Sequence, residues 1–574
     1  MLEQFREVVL VNFEFETITD HPNPVCVVVY EVHSGRTTRL MREQFGPVPP
    51  YGTGPDSLFI AFFASAEVSC HRVVGWPTPS RILDLFTEFR DRFNGVGTVG
   101  GNGLLGALAQ FGFDGLDAAA KDEIRKAIGD GTWRQKYTSK EVLDYCETDV
   151  TALKRLLPAM LPGIDIPHAL LRGRYMAAVS AMERNGVPID VEMLAKFRQH
   201  WTAIQDDLIT AIDGQYGVYE GRTFKLDRFA RWLAENNIPW PRLESGRLDL
   251  DDKTFRQMAK AYPIVSPLRE LRSSLSDLRL EALNVGTDGR NRAMLSPFRA
   301  RTGRNQPSNT EYIFGPSVWI RGLIKPAAGY GLAYIDWSAQ EIGIAAKLSG
   351  DEAMMAAYRT GDPHLAFAKQ AGAVPADATK ESHEDIRDLY KQCNLGVNYG
   401  MGVGGLAARI DQPNHVAREL LLKHRTTYRR FWKWSDAAVD HAMLHGVIWT
   451  VFGWHLRTGP ETNPRMLRNF LMQANGNEML RLACCLTAER GIEVCAPVHD
   501  AVLICAPLEW LEQDIATTRA AMAEASRAVL DGFELGTEAK AVRYPDRYMD
   551  KRGKEMWQTV CALVEKKCGE KVAV

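Results

Sequence analysis

Between residues 387 and 400 the chain reads Arg387-Asp-Leu-Tyr-Lys391-Gln-Cys-Asn394-Leu395-Gly-Val-Asn-Tyr399-Gly400. Arg387, Lys391, Leu395 and Tyr399 recur at every fourth position, so a helix sets them in one stripe. Two cations followed by an aliphatic and an aromatic side chain suit a helix that grips a triphosphate at one end and covers a flat ring at the other. Basic residues at this spacing also occur on ordinary solvated faces, and it is the flanking segments that narrow the choice. Upstream, Gly331-Leu-Ala-Tyr-Ile-Asp336 reads as a strand ending in a carboxylate, with Glu341 soon after. Downstream, Glu493-Val-Cys-Ala-Pro-Val-His499-Asp500-Ala-Val-Leu-Ile-Cys505 is a pair of apolar arms around His-Asp, which predicts a hairpin with the acid at its tip. Carboxylates brought together from segments this distant can hold a pair of divalent cations.

A chain of 574 residues has length for about three or four domains. Its net charge of −2 does not exclude a nucleic-acid binder, because a large enzyme can confine its basic residues to one cleft. The ten cysteines are scattered and form no C-x-x-C pair, so buried, reduced thiols are expected rather than zinc or disulfides. The N-terminus lacks the layout of a signal peptide, and no apolar run reaches the roughly 20 residues that span a bilayer. These features predict a soluble protein of the cytoplasm with no membrane partner.

In the N-terminal third, Val8-Val-Leu-Val11 leads into Phe13-Glu14-Phe15-Glu16, and strand alternation puts Glu14 and Glu16 on one face. Adjacent carboxylates repel unless cations lie between them, although a solvent-facing edge strand would also accept them. Tyr145 and Asp149 share a face of an amphipathic helix. The Pro/Gly cluster of residues 161–167 marks a boundary. Beyond it, Leu268, Leu271, Leu275 and Leu278 alternate with Arg269, Arg272 and Arg279 as in a packed helical hairpin. Asp288-Gly-Arg-Asn-Arg292 and Arg299-Ala-Arg301-Thr302-Gly303-Arg304 are basic, glycine-bearing loops suited to phosphate contact without sequence readout.

The segments around Asp336, Lys391 and Asp500, in that order, resemble motifs A, B and C of family A DNA polymerases, the group of bacterial DNA polymerase I. Residues 5–160 resemble the 3′–5′ proofreading exonuclease domain of that family. The implied fold is α/β: an RNase H-like exonuclease over residues 1–162, then a right-hand polymerase over 163–574. Its thumb is expected at about 190–295, its palm at about 296–350 and 440–574, and its fingers at about 351–440. Room for a 5′-nuclease domain ahead of these is not expected, a layout similar to that of bacteriophage or prophage polymerases.

The resemblance implies template-directed addition of dNTPs to a primer, with primer–template DNA and dNTPs as partners, replication accessory proteins as further candidates, and a monomeric state. Asp336 and Asp500 would bind two Mg2+ ions, for which Mn2+ could substitute. Glu341 would close off the sugar 2′ position. Arg387, Lys391 and His364 would meet the triphosphate, and Tyr399 the templating base. Arg304, Gln473 and Asn475 would contact the primer–template, with His499 beside Asp500. Glu14, Glu16, Glu67 and Asp149 would bind the exonuclease metals while Tyr145 orients water. Asp84 competes with Glu67 but is as readily a helix cap.

Some positions depart from the family pattern. Glu14 and Glu67 stand where aspartates are usual, Leu395 replaces an aromatic ring, Gly343 replaces an arginine, and Ala501 replaces a glutamate. A catalytically weak relative, acting mainly as a DNA-binding exonuclease, is the alternative these losses keep open.

Overall fold

The run Glu7–Glu16 is rich in Val and Phe and forms strand β1. The structure is a computed structural model that describes residues 2–113, 118–276, 280–315, 318–398, 400–459 and 461–569. In it β1 pairs antiparallel with β2 (Asn23–Glu31), and β2 pairs antiparallel with β3 (Thr37–Met41). On its other edge β1 pairs parallel with β4 (Ser57–Ala61), which pairs parallel with β5 (Ile82–Asp84). The sheet order is therefore β3-β2-β1-β4-β5. Val8, Val9, Leu10 and Val11 are all buried, because a central strand covered on both faces needs apolar side chains pointing both ways. The covering helices include α1 (Ala64–Val74), α2 (Leu85–Phe93) and α3 (Ser139–Met160).

Close packing continues across residue 162. The described residues form two compact units, and the first comprises 1–185, 294–306 and 332–541. After a short turn at Leu161–Gly163, helix α4 (Ile166–Asn185) packs back on α1 and β5. Gly173 makes this approach feasible, since a Cβ there would stand 1.9 Å from the Ile82 carbonyl oxygen. One residue earlier, Arg172 donates two 2.7 Å hydrogen bonds to the buried Glu88 carboxylate of α2. The Pro/Gly cluster thus marks a turn between helices, and close packing carries the unit across it.

The same unit contains a second sheet, of order β7-β8-β6-β9, built from β6 (Tyr330–Trp337), β7 (Glu493–Val498), β8 (Ala501–Pro507) and β9 (Thr537–Arg543). Strands β7 and β8 form the expected hairpin, closed by the Val498–Ala501 pair. His499 takes φ 58° in its turn. Helix α5 (Gln340–Ser349) follows β6, and α6 (Pro363–Gln370), α7 (Glu384–Asn398) and α8 (Pro464–Glu489) come after it. A Cβ on Gly476 of α8 would meet Gln340 Oε1 at 2.5 Å, so side chains of α5 lie directly against the α8 backbone. Gly343 is likewise filled over: a Cβ there would lie 2.4 Å from Leu535 Cδ2 and 3.0 Å from the Tyr358 ring.

The second unit comprises residues 186–293, 307–331 and 542–574. Phe197, Trp201, Trp319 and Trp557 form its aromatic centre. Leu268 and Leu271 are buried as the heptad-like spacing predicts, while Leu278 and Arg279 lie outside the described residues. Arg272 stacks on Phe224 and Phe255 and Arg269 pairs with Asp252, so these cations also serve local packing.

All ten cysteines are free, and all but Cys568 are buried. Cys495 and Cys505 do share a site with Glu493, with donor atoms within 4.8 Å of one another, a grouping assembled across the β7–β8 pair that residue spacing alone conceals. Among the described residues no helix is long and apolar enough to cross a membrane.

Gly173→Ala should destabilise the protein by about 1–3 kcal/mol or more, the cost of overpacking where the neighbour is backbone. Chemical denaturation measures this, and an unchanged midpoint would contradict the close approach of α4 to β5.

Candidate active sites

Asp336 reaches the end of β6, and β8, its neighbour in the sheet, begins directly after Asp500. Burial pushes the Asp336 carboxyl up to about 6, with further contributions from the negative charges of Asp500 and Glu538. Burial likewise raises Asp500, against the favourable effects of a backbone N–H, His499 and Arg304. A half-buried carboxylate raised by acidic neighbours in this way favours a cation beside it.

Glu341, in the first turn of α5, is raised mainly by burial; Arg304 and a hydrogen bond from Gln473 oppose the shift, and Asp500 adds to it. Glu341 Oε2 and Arg304 Nε are buried without hydrogen-bond partners. Orphaned polar atoms are costly inside a protein, so their presence beside clustered carboxylates fits a centre that binds ions and polar ligands.

Arg304 owes its position to residues that sequence reasoning did not single out. Gly303 has φ 71°, and its carbonyl accepts hydrogen bonds from Asn477 Nδ2 at 2.7 Å and an Arg481 guanidinium nitrogen at 2.9 Å. Trp454 Nε1 donates to the Arg301 carbonyl at 3.0 Å. Asn94, which caps the C-terminus of α2, donates Nδ2–H to the same carbonyl at 2.6 Å, and Arg90 of α2 donates Nε–H to that of Phe298 at 3.3 Å. The N-terminal sheet's own helix therefore braces the Thr302-Gly303-Arg304 loop.

Helix α7 carries Arg387, Lys391 and Leu395 along one face. Arg387 Nε lies 2.5 Å from Asp362 Oδ2, and another of its nitrogens lies 3.0 Å from Asp388. Lys391 is half-buried and has no ion-pair partner among the described residues. His364 is buried at the start of α6, its Nδ1 3.2 Å from Asn394 Nδ2. Burial pushes its imidazole down to about 4; Asp362 opposes the shift, while Arg387 and Lys391 add to it. His364 is thus neutral near pH 7, and the positive charge of this face comes from Arg387 and Lys391. Tyr399 lies outside the described residues.

Asn475 differs from expectation. It is 1% exposed; its amide donates to the Leu471 carbonyl at 2.7 Å and accepts from the Val451 N–H at 2.9 Å. The helix turns this side chain inward, where it holds the loop at Val451, whereas Gln473 reaches Glu341.

A second carboxylate cluster lies on the N-terminal sheet. Glu67 of α1 is buried, and its Oε2 accepts the Phe13 N–H at 2.7 Å. Burial drives its carboxyl well above the usual range, with Glu14, Asp149 and Asp84 adding to the shift. Tyr145 is raised by burial, then by Glu14 and Asp149, so its hydroxyl stays protonated. Glu14, Glu67, Asp149 and Tyr145 are therefore neighbours.

Glu16 is committed elsewhere: its carboxylate accepts from Trp133 Nε1 at 3.0 Å, Arg134 at 3.2 Å and Asn23 Nδ2 at 2.7 Å. Asp84 is the cap that its alternative reading expected. It accepts the Phe86 and Thr87 N–H groups at the start of α2 and those of Phe63 and Ala64 before α1.

Comparison with known proteins agrees with this geometry. The sequence pattern of DNA polymerase family A matches residues 268–539. DNA polymerase I of Chloroflexus aurantiacus is 25% identical over 47% of this chain, which spans 30% of that protein's length. DNA polymerase I of Aquifex aeolicus is 24% identical over 72% of this chain and 77% of its own. The DNA polymerase of Mycobacterium phage D29 is 24% identical, over 69% of this chain and 67% of its own. In fold, the chain is similar to the POL domain of Pol1 from M. smegmatis, solved in complex with DNA primer-template and dNTP. The TM-score is 0.73 at 17% identity, over 94% of this chain and 95% of that one. The segment that bears Asp336, Lys391 and Asp500 is thus similar to DNA polymerase family A.

Asn475→Ala should cost about 1 kcal/mol by removing the hydrogen bond that ties the Val451 N–H to the helix. Thermal unfolding tests this; an unchanged melting temperature together with weakened DNA binding would return Asn475 to a direct contact role.

Proposed function

We propose that this chain is a template-directed, DNA-dependent DNA polymerase that adds dNTPs to a primer 3′ end and trims mispaired ends with a separate 3′–5′ exonuclease site. The observation that carries the polymerase reading is the meeting of Asp336 and Asp500 beside Glu341 and the unpartnered Arg304 Nε. Their oxygen-rich, partly buried donor set suits Mg2+, with Mn2+ as a substitute. Bound there, divalent cations would supply activation of the primer 3′-hydroxyl and neutralisation of charge on the leaving pyrophosphate.

The protein's own residues bind and orient. Lys391 and Arg387 hold the triphosphate, and Arg387 would exchange its Asp362 partner for phosphate oxygens. Neutral His364 can donate a hydrogen bond to phosphate without adding charge. Glu341 walls off the sugar 2′ position and Leu395 lines the sugar with an aliphatic surface. Arg304 and Gln473 contact the primer–template, His499 shapes the turn that presents Asp500, and Tyr399 covers the templating base. Residues 351–440 act as fingers, 190–295 as thumb and the β6–β9 sheet as palm. DNA and dNTPs are the partners, and the protein acts as a cytoplasmic monomer.

The exonuclease reading is supported by the sheet order β3-β2-β1-β4-β5, the arrangement of RNase H-like folds, and by the Glu14–Glu67–Asp149 cluster. Tyr145 serves as a hydrogen-bond donor that orients the attacking water. Glu16, held by Arg134 and Trp133, would reach a metal only by giving up those partners.

Primer extension with Mg2+ and four dNTPs tests the polymerase assignment. Asp336→Asn and Asp500→Asn should abolish extension while duplex binding persists, because each removes a metal ligand and no phosphate contact. Extension at the wild-type rate by either variant would refute the assignment. Asp149→Ala should eliminate 3′ trimming of single-stranded and mismatched ends, which cost least to unstack, and leave extension intact. A wild-type protein that extends primers without trimming under Mg2+ or Mn2+ would show the N-terminal cluster to be a scaffold.

A further inference from the structure

Asp336 has an acidic neighbour besides Asp500. Glu538 lies on β9, the strand next to β6, and it is exposed, so its carboxylate meets solvent at the mouth of the centre without a large desolvation cost. Its place is fixed by a stitch between the two strands. Ser338 N–H donates to the Gly536 carbonyl at 2.9 Å, and Ser338 Oγ donates to Glu538 Oε1 at 3.2 Å. The Tyr358 hydroxyl ties the same backbones together, donating to the Ser338 carbonyl at 2.8 Å and accepting from the Gly536 N–H at 3.2 Å.

Gly343 leaves room for this arrangement. Any side chain there would meet Leu535, the residue before Gly536, and the Tyr358 ring. The hairpin, meanwhile, contributes no acid next to Asp500, because the following residue is the fully buried Ala501. Each further carboxylate oxygen beside a divalent cation adds a ligand and offsets part of its charge.

We propose that Glu538 is the third carboxylate of the palm centre, binding divalent cation together with Asp336 and Asp500 from the strand on the opposite side of β6. The proposal rests on the polymerase reading for its purpose but on cation binding for its test. Asp336 lies between the two acids in the strand order, so a cation at Asp336 is drawn from both sides. Glu538 also explains how the chain carries alanine after His-Asp: the charge is delivered from β9 instead of β8. Tyr358 acts only as a positioning residue, since it touches the strand backbones.

The test is Mn2+ binding followed by electron paramagnetic resonance, performed on full-length protein in the Asp149→Ala background so that the N-terminal cluster contributes little. Glu538→Gln should weaken the palm affinity about tenfold, the scale set by loss of a metal-site partner. Glu538→Asp should retain most of it, and Glu509→Gln, an exposed acid outside the centre, should match the parent. Primer extension by Glu538→Gln should slow at low cation concentration and recover in part at high concentration, with the dNTP KM little changed. Mn2+ affinity of Glu538→Gln equal to that of the parent overturns the proposal, even if extension falls, because the residue would then act on structure alone. A parent protein whose Mn2+ affinity depends on Glu538 but which extends no primer would instead sink the polymerase reading and leave the cation site standing.

Discussion

Pairing between β6 and β8 forces Asp336 and Asp500, from distant parts of the chain, into one partly buried place. Much of the surrounding architecture follows from the repulsion this creates. Burial and the charges of Asp500 and Glu538 hold Asp336 up to about 6, so the site favours a counter-charge. Arg304 offsets part of it, from a loop clamped by Asn477, Arg481, Trp454 and Asn94. The clamp places the cation close enough to influence Asp500 and Glu341 while leaving its Nε without a partner.

The scaffold around this pair depends on missing side chains. Gly173 brings α4 against β5, Gly476 brings α8 against α5, and Gly343 admits Tyr358 and Leu535. The first joins the N-terminal sheet to the rest of its unit, and the others set the helix and strand that flank the paired carboxylates. The N-terminal region is thus a structural partner of the centre whatever its own chemistry, since Arg90 of α2 and Asn94 at its C-cap hold the loop that carries Arg304.

Sequence carried the parts governed by local periodicity. The α7 stripe, the acid ending β6 and the hairpin around His499-Asp500 follow from spacing and apolar runs. It carried less where tertiary partners decide. Nothing in Phe13-Glu14-Phe15-Glu16 tells that Trp133 and Arg134 capture the second glutamate and leave the first with Glu67 and Asp149. Asn475 and Gln473 are equally polar, yet the helix turns only Asn475 onto Val451. Glu538 sits in Thr537-Glu-Ala-Lys-Ala-Val-Arg543, which reads as an unremarkable polar edge strand until β9 is set beside β6. The Pro/Gly cluster near residue 162 likewise reports only a turn, and the packing of Gly173 against β5 lies beyond it.

The central claim is that this carboxylate centre copies a template. The most direct measurement offers the wild-type protein one dNTP at a time on four primer–templates that differ only in the first templating base, and sequences the extended primer. The account predicts Mg2+-dependent addition of the complementary nucleotide in each case and negligible addition of the others. Addition that ignores the templating base, or no addition while the protein still binds the duplex, would contradict it.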